Sequence, residues 1–187
     1  MTKSTLRFII KSVKRMLFVF IILATVIVLP QFSYALSSST VLDDNQIEQI
    51  RNNCINTQAT LARVHTSDAL LRVNLGRQYD TLSTRLMAPF NSRAALNKLD
   101  VTPLVSTTTK FETSLDKFRT SYKNYEETVS SALQTDCKSH PVAFHDTVAE
   151  AQEKRKIVAD SVTELNRLVA EYKTNFEQFA KEILNGK

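Results

Sequence analysis

Apolar residues recur at steps of three and four through three long stretches of this chain, and the last stretch is the most regular. Between Phe144 and Ile183 the seam runs Val148, Ala151, Arg155, Val158, Val162, Leu165, Val169, Tyr172, Phe176, Phe179 and Ile183, with Arg155 the one charged member. This is heptad spacing, which keeps one stripe of a helix facing its neighbours over many turns. Neither Gly nor Pro interrupts it. A helix of roughly forty residues extends about 60 Å. It cannot bury such a stripe alone, so the remaining chain has to supply partners.

An earlier seam runs Ile47, Ile50, Cys54, Thr57, Leu61, Val64, Asp68, Leu71, Leu75, Gln78 and Leu82, behind an N-cap at Asp43 or Asp44. Pro89 should stop this helix near Met87 or Ala88, because proline lacks an N–H and crowds the preceding turn. A connector follows, in which Ser92 to Leu99 can form a short helix broken by Asp100. Thr102-Pro103 reads as an N-cap with proline at the first helical position. The middle seam is Leu104, Thr108, Phe111, Leu115, Phe118, Tyr122, Tyr125, Val129 and Ala132, ending near Cys137, and Pro141 opens the last helix.

Three amphipathic helices with short connections predict an all-α fold, an elongated antiparallel three-helix bundle of up-down-up, coiled-coil-like packing with a short connector helix. The expected helices cover residues 44–88, 103–137 and 141–185, after a linker at 36–43. Cys54 lies 35 residues before Pro89 and Cys137 lies 35 after Thr102, so a hairpin brings both to one height. The expectation is an internal disulfide, with two buried thiols or an intermolecular bond as alternatives.

The formal net charge of +5 points first toward nucleic acid. However, residues 1–35 hold five basic side chains (Lys3, Arg7, Lys11, Lys14, Arg15) and no acid. Taking those five from the 24 Lys and Arg leaves 19, equal to the 19 Asp and Glu. The remainder is neutral, and no nucleic-acid footprint is left. The same leader continues into an apolar run from Met16 to Leu29, then Ser33 and Ala35 at the −3 and −1 positions. That pattern describes a signal peptide cleaved after Ala35, with an uncleaved anchor as the alternative. The expected location is extracytoplasmic: secreted, in the cell envelope, or membrane-anchored through residues 1–35.

Asp68 and Arg155 interrupt their seams at similar heights, and Tyr122 to Tyr125 reach the same level. A buried Asp68–Arg155 pair with a tyrosine hydroxyl beside it follows, as a layer that fixes register. Mid-helix Gly76 reads as close approach of a bulky neighbour. Arg72, Arg77 and Tyr79 form a candidate contact patch. Leu70, Leu86, Ile157 and Leu168 lie off the seams and invite cover by a partner helix.

His65, His140 and His145 lack metal-ligand spacing, with His140 and His145 expected to face solvent. There is no phosphate-cradling glycine loop and no Gly-x-Ser-x-Gly elbow. No catalytic, cofactor-binding or metal residue is nominated, and no cofactor is expected. The run Ser67 to Tyr79, continued by Ser83-Thr84-x-Leu86-Met87-Ala88-Pro89-Phe90-Asn91-x-Arg93, and Tyr122-x-x-Tyr125-Glu126 before Asp136-Cys137-x-x-x-Pro141-Val142-x-Phe144, resemble a group of small exported helical proteins from bacteria with reduced genomes. The resemblance covers most of residues 45–175. It implies an exported, two-cysteine helical plan, with no activity or site.

The function expected is non-enzymatic: an extracytoplasmic bundle that binds or spaces another protein or an envelope component. The alternatives are a membrane-anchored sensor or oligomerisation domain and, behind it, an enzyme built on the Asp68–Arg155 layer.

Overall fold

A computed structural model describes residues 42–185. The leader expected at residues 1–35 lies outside them, as does most of the 36–43 linker. The chain is all-α, and no strand occurs among the described residues. Helix α1 spans Asp44–Thr81 and passes through a π-helical stretch, Leu82–Met87, into α2, Ala88–Leu96. Helices α3, Thr102–Gln134, and α4, Pro141–Leu184, follow.

Asp43 caps α1 reciprocally with Gln46. Its Oδ1 accepts the Gln46 N–H at 2.7 Å, and Gln46 Oε1 accepts the Asp43 N–H at 2.9 Å. Pro89 does not stop the helix. The Ala88 N–H donates to the Ser83 carbonyl, five residues back, which is the wider step of a π turn. That widening gives room for a ring that would clash with the carbonyl four residues earlier in an α-helix. The side chains of Leu82, Ser83, Leu86 and Met87 are buried and hold the stretch in place.

The connector is therefore shorter than expected. Helix α2 ends with Lys98 in the left-handed region (φ 58°) and the Leu99 N–H donating to the Ala94 carbonyl at 3.2 Å. Asp100, expected only as a breaker, caps α3: its Oδ1 accepts the Thr102 N–H at 3.0 Å. That bond holds its carboxyl below the usual carboxylate range. Helix α3 ends at Gln134 rather than Cys137. Asp136 accepts the amides of Lys138 and Ser139 at 3.1 and 3.3 Å, offering the backbone a turn in place of a further helical one.

The described chain forms two compact units, one from residues 42–76 and 117–161, the other from 77–116 and 162–185. In the first, α1 and α3 run antiparallel, since Cys54, His65 and Asp68 meet Cys137, Glu126 and Tyr125 in reverse order. Two small clusters belong to its core. Cys54, Cys137 and Phe144 pack with Ile50 and Val148, and Tyr122, Tyr125, Val129 and Ala151 pack with Leu61 and Val158. Thr57, expected on the seam, is exposed. Gln58 turns inward instead, donating to the carbonyls of Leu133 and Thr135 at 3.4 and 2.8 Å.

The second unit is richer in aromatics. Phe90 meets Phe176 and Phe179 edge-on, at 5.1 and 5.6 Å between centroids, and Tyr79 meets Phe111 at 6.0 Å. Leu86 and Leu168, expected to await a partner helix, are 5% and 0% exposed. Leu86 lies within the π stretch, whose wider turn departs from the α-helical spacing of the seam. A neutral chain threads this core: Tyr172 donates to Asn91 Oδ1 at 2.9 Å, and Asn91 Nδ2 donates to Thr108 Oγ1 at 2.9 Å.

Candidate functional site

The first unit gathers the charged groups that its seams could not place on a surface. Asp68 is 8% exposed. Its Oδ2 accepts Arg155 Nε at 2.6 Å and the Tyr125 hydroxyl at 2.7 Å, while Oδ1 accepts Arg155 Nη2 at 2.9 Å. The fork is bidentate, the arrangement that suits guanidinium to carboxylate. These bonds raise the Arg155 pKa above its ordinary value. Burial, reinforced by the bond to Asp68, pushes the Tyr125 phenol up. Arg155 is not fully buried: its side chain keeps 36% of its surface in water.

Tyr122, expected beside this pair, has a different partner. Its hydroxyl donates to Glu126 Oε2 at 3.0 Å, and Glu126 Oε1 meets His65 Nε2 at 2.6 Å. Burial, then the bond to Glu126, pushes the Tyr122 phenol up. The pairing of His65 with Glu126 was not expected from the sequence, yet the signal was there. They lie eleven residues along α1 from Cys54 and eleven back along α3 from Cys137, on the register of the bridge.

Above Tyr122 lies an open groove of about 350 Å³ between α1 and α3. Ala69, Arg72 and Val73 form one wall; Arg119, Tyr122, Lys123 and Glu126 form the other. Each set sits at helical spacing on one face. The Arg72 guanidinium lies over the Tyr122 ring, 5.4 Å from its centroid. Among the described residues no carboxylate pairs with Arg72. Stacking of this kind leaves the in-plane N–H donors of a guanidinium open to an anion.

The rest of the candidate patch does not form. Tyr79 is 5% exposed, and its hydroxyl donates to Asn166 Oδ1 at 3.0 Å in the second unit. Four residues beyond Leu75, it takes the inward place the seam gave to Gln78. Arg77 is exposed in that same unit. Beyond its chain neighbours and its own helix backbone, Gly76 has no atom within 4 Å of where a Cβ would stand, so no bulky neighbour approaches it. Among the expected solvent-facing histidines, His140 is exposed and His145 is half-buried, with Nδ1 3.1 Å from Asp146 Oδ1.

Cys54 and Cys137 are bridged, with their Cα atoms 5.6 Å apart. A bridge of this kind fits an oxidising compartment. No helix among the described residues is long and apolar enough to cross a membrane. Compared with protein-family models, curated proteins and solved structures, the chain has no match. The fold and groove define an all-α protein with an open cationic cleft beside an internally satisfied polar layer.

Proposed function

We propose that this chain is a non-enzymatic, extracytoplasmic docking protein that binds another protein or an envelope component through its helix faces. The observation that carries the reading is the placement of cations in the first unit. Asp68, Tyr125 and Arg155 satisfy one another within it, whereas Arg72 and Lys123 present charge to an open groove. Groups arranged for proton transfer or nucleophilic attack would instead converge on an enclosed space. The bridge supports an exported location, and the leader-like residues 1–35 add the route.

Photocrosslinking in the producing cell tests the reading. A photoreactive residue replacing Val73, which is 46% exposed in the groove, should give a discrete protein or envelope adduct. The same residue at Leu96, exposed in the second unit, is the control. No adduct at either position would end the docking proposal. An adduct at Leu96 alone would move it to the other unit.

A further inference from the structure

We infer that the groove recognises a short acidic segment of a partner protein, with one carboxylate held by Arg72 and Lys123 and an adjoining apolar side chain resting on Val73. This rests on the docking reading above and adds the chemistry of the partner.

The charge balance of the groove supports an anion. Both oxygens of Glu126, the acid in its wall, are already engaged, by His65 and by Tyr122. Glu126 keeps its charge, but it is the one acid against Arg72, Arg119 and Lys123 in the groove lining. Lys123 reaches Glu127 only at 3.8 Å, with side chains 74% and 65% exposed, a surface pair that a better-placed carboxylate can displace. Arg72 is held over Tyr122, and fixing its plane in advance reduces the ordering cost when a carboxylate arrives. The size fits as well: about 350 Å³ is near the lower end for small-ligand sites and accommodates two or three side chains.

The surrounding charge selects a peptide over an anionic membrane or a nucleic acid. Within residues 42–76 and 117–161, ten Lys and Arg stand against eleven Asp and Glu. Three of those ten, Arg72, Arg119 and Lys123, line the groove beside one acid, without making the unit basic. A membrane surface is met by four to eight clustered basic residues, and a polyanionic backbone by a basic stripe. Here a broad anionic surface would also meet Glu126 and Glu127, whereas one carboxylate on a narrow chain need reach only Arg72 and Lys123. The exposed Val73 beside Arg72 gives an apolar neighbour of that carboxylate a place to rest.

The test uses the full chain as purified from its producing cell and reads fluorescence anisotropy. The probe is a fluorescein-labelled peptide of alternating Glu and Leu, with a Gln and Leu counterpart. Inorganic phosphate and vesicles of phosphatidylcholine with phosphatidylglycerol serve as competitors. The Glu peptide should bind, and the Gln peptide should bind at least about tenfold more weakly. Arg72→Gln and Lys123→Glu should each weaken Glu-peptide binding about tenfold or more. Lys123 is 74% exposed, so its variant keeps the fold and remains informative if Arg72→Gln disturbs Tyr122. Equal binding of the two peptides, no binding of the Glu peptide, or indifference to both substitutions would overturn the inference. Displacement by phosphate or by the vesicles at lower concentration than unlabelled Glu peptide would also overturn it, reassigning the groove to a free anion or a lipid headgroup. If the groove chemistry fails while the Val73 adduct persists, docking stands and only the acidic-segment inference falls.

Discussion

The two units solve the same packing problem with different materials. Between residues 77 and 116 the chain buries Tyr79, Leu82, Leu86, Met87, Phe90, Leu104, Phe111 and Leu115, and α4 adds Tyr172, Phe176 and Phe179. Its internal polar links include amides and hydroxyls bonded to one another, as at Asn91, Thr108 and Tyr172. Between residues 42 and 76, by contrast, the buried side chains are Cys54, Asp68 and Leu75, and the unit draws more of its core from Phe118, Tyr122, Tyr125, Val129, Phe144 and Ala151. That unit adds a covalent bridge and an ion pair to its rings. Apolar burial stabilises by roughly 25 cal/mol per Å² without demanding exact partners, whereas a bridge or a buried ion pair fails when one member is lost. The unit with the bridge and the ion pair is also the one that carries the cationic groove.

The largest expected effect comes from removing the bridge. It closes a loop of 83 residues, which the chain-entropy model values at about 4–5 kcal/mol. In Cys54→Ala/Cys137→Ala, hydrogen exchange should quicken mainly in residues 42–76 and 117–161. An equal rise in residues 77–116 and 162–185 would mean that the two regions open together, and the contrast between them would lose its energetic meaning.

Next in size is Arg155→Ala. Asp68 would keep Tyr125 but lose both bonds to the guanidinium. Removing one member of a fully buried pair costs about 3–5 kcal/mol. Because Arg155 keeps a third of its side chain in water, about 2–3 kcal/mol is expected in chemical denaturation. Asp68→Asn combined with Arg155→Met should recover part of that loss, since no uncompensated buried charge remains. A double variant as unstable as Arg155→Ala would show that shape, rather than charge, is what the layer supplies.

How much of this was legible in the sequence follows the same division. The seams of α3 and α4 were readable because large apolar residues recur along most of their length: Phe111, Leu115, Phe118, Val129, Leu165, Tyr172 and Phe176 are all buried. The Asp68–Arg155 meeting could be read from height alone, since each interrupts an otherwise apolar row. The inward turn of Tyr79 could not be read, because steps of three and of four from Leu75 both reach a residue able to bury part of its side chain. Pro89 misled for a different reason. A π turn depends on burying Leu82, Ser83, Leu86 and Met87 against other parts of the chain, which local propensity does not contain. The groove was half visible: Arg72 was singled out, but Arg119 and Lys123 join it only once α3 is placed beside α1.

Alkaline pH separates the tyrosines from the rest of the core. Burial pushes the Tyr79 phenol up to about 12. A phenol whose pKa is higher folded than unfolded stabilises the fold fully below pH 10, its unfolded value, and that stabilisation is lost as pH rises through 12. The loss at pH 12 should be about 2 kcal/mol from this residue. Tyr79→Phe should remove that part of the slope between pH 10 and 12, at a cost near neutrality of about 1 kcal/mol for the bond to Asn166. An unchanged alkaline slope in the variant would place the titration on the other buried tyrosines.

The smallest effect has the opposite sign. Gly76 lies inside α1 with nothing beyond its chain neighbours and its own helix backbone within 4 Å of the point an alanine methyl would occupy, so alanine adds no clash there. Alanine also restricts the unfolded chain more than glycine does. Gly76→Ala should therefore stabilise by about 0.5–1 kcal/mol, read as a shift in the denaturation midpoint at constant slope. The position closes the 42–76 segment, so slower exchange there, with little change in residues 77–116, would agree with a first unit limited by its own helix and core. Destabilisation would mean that α1 needs glycine's freedom at this point, and the open space around it would then have to be occupied in the folded protein.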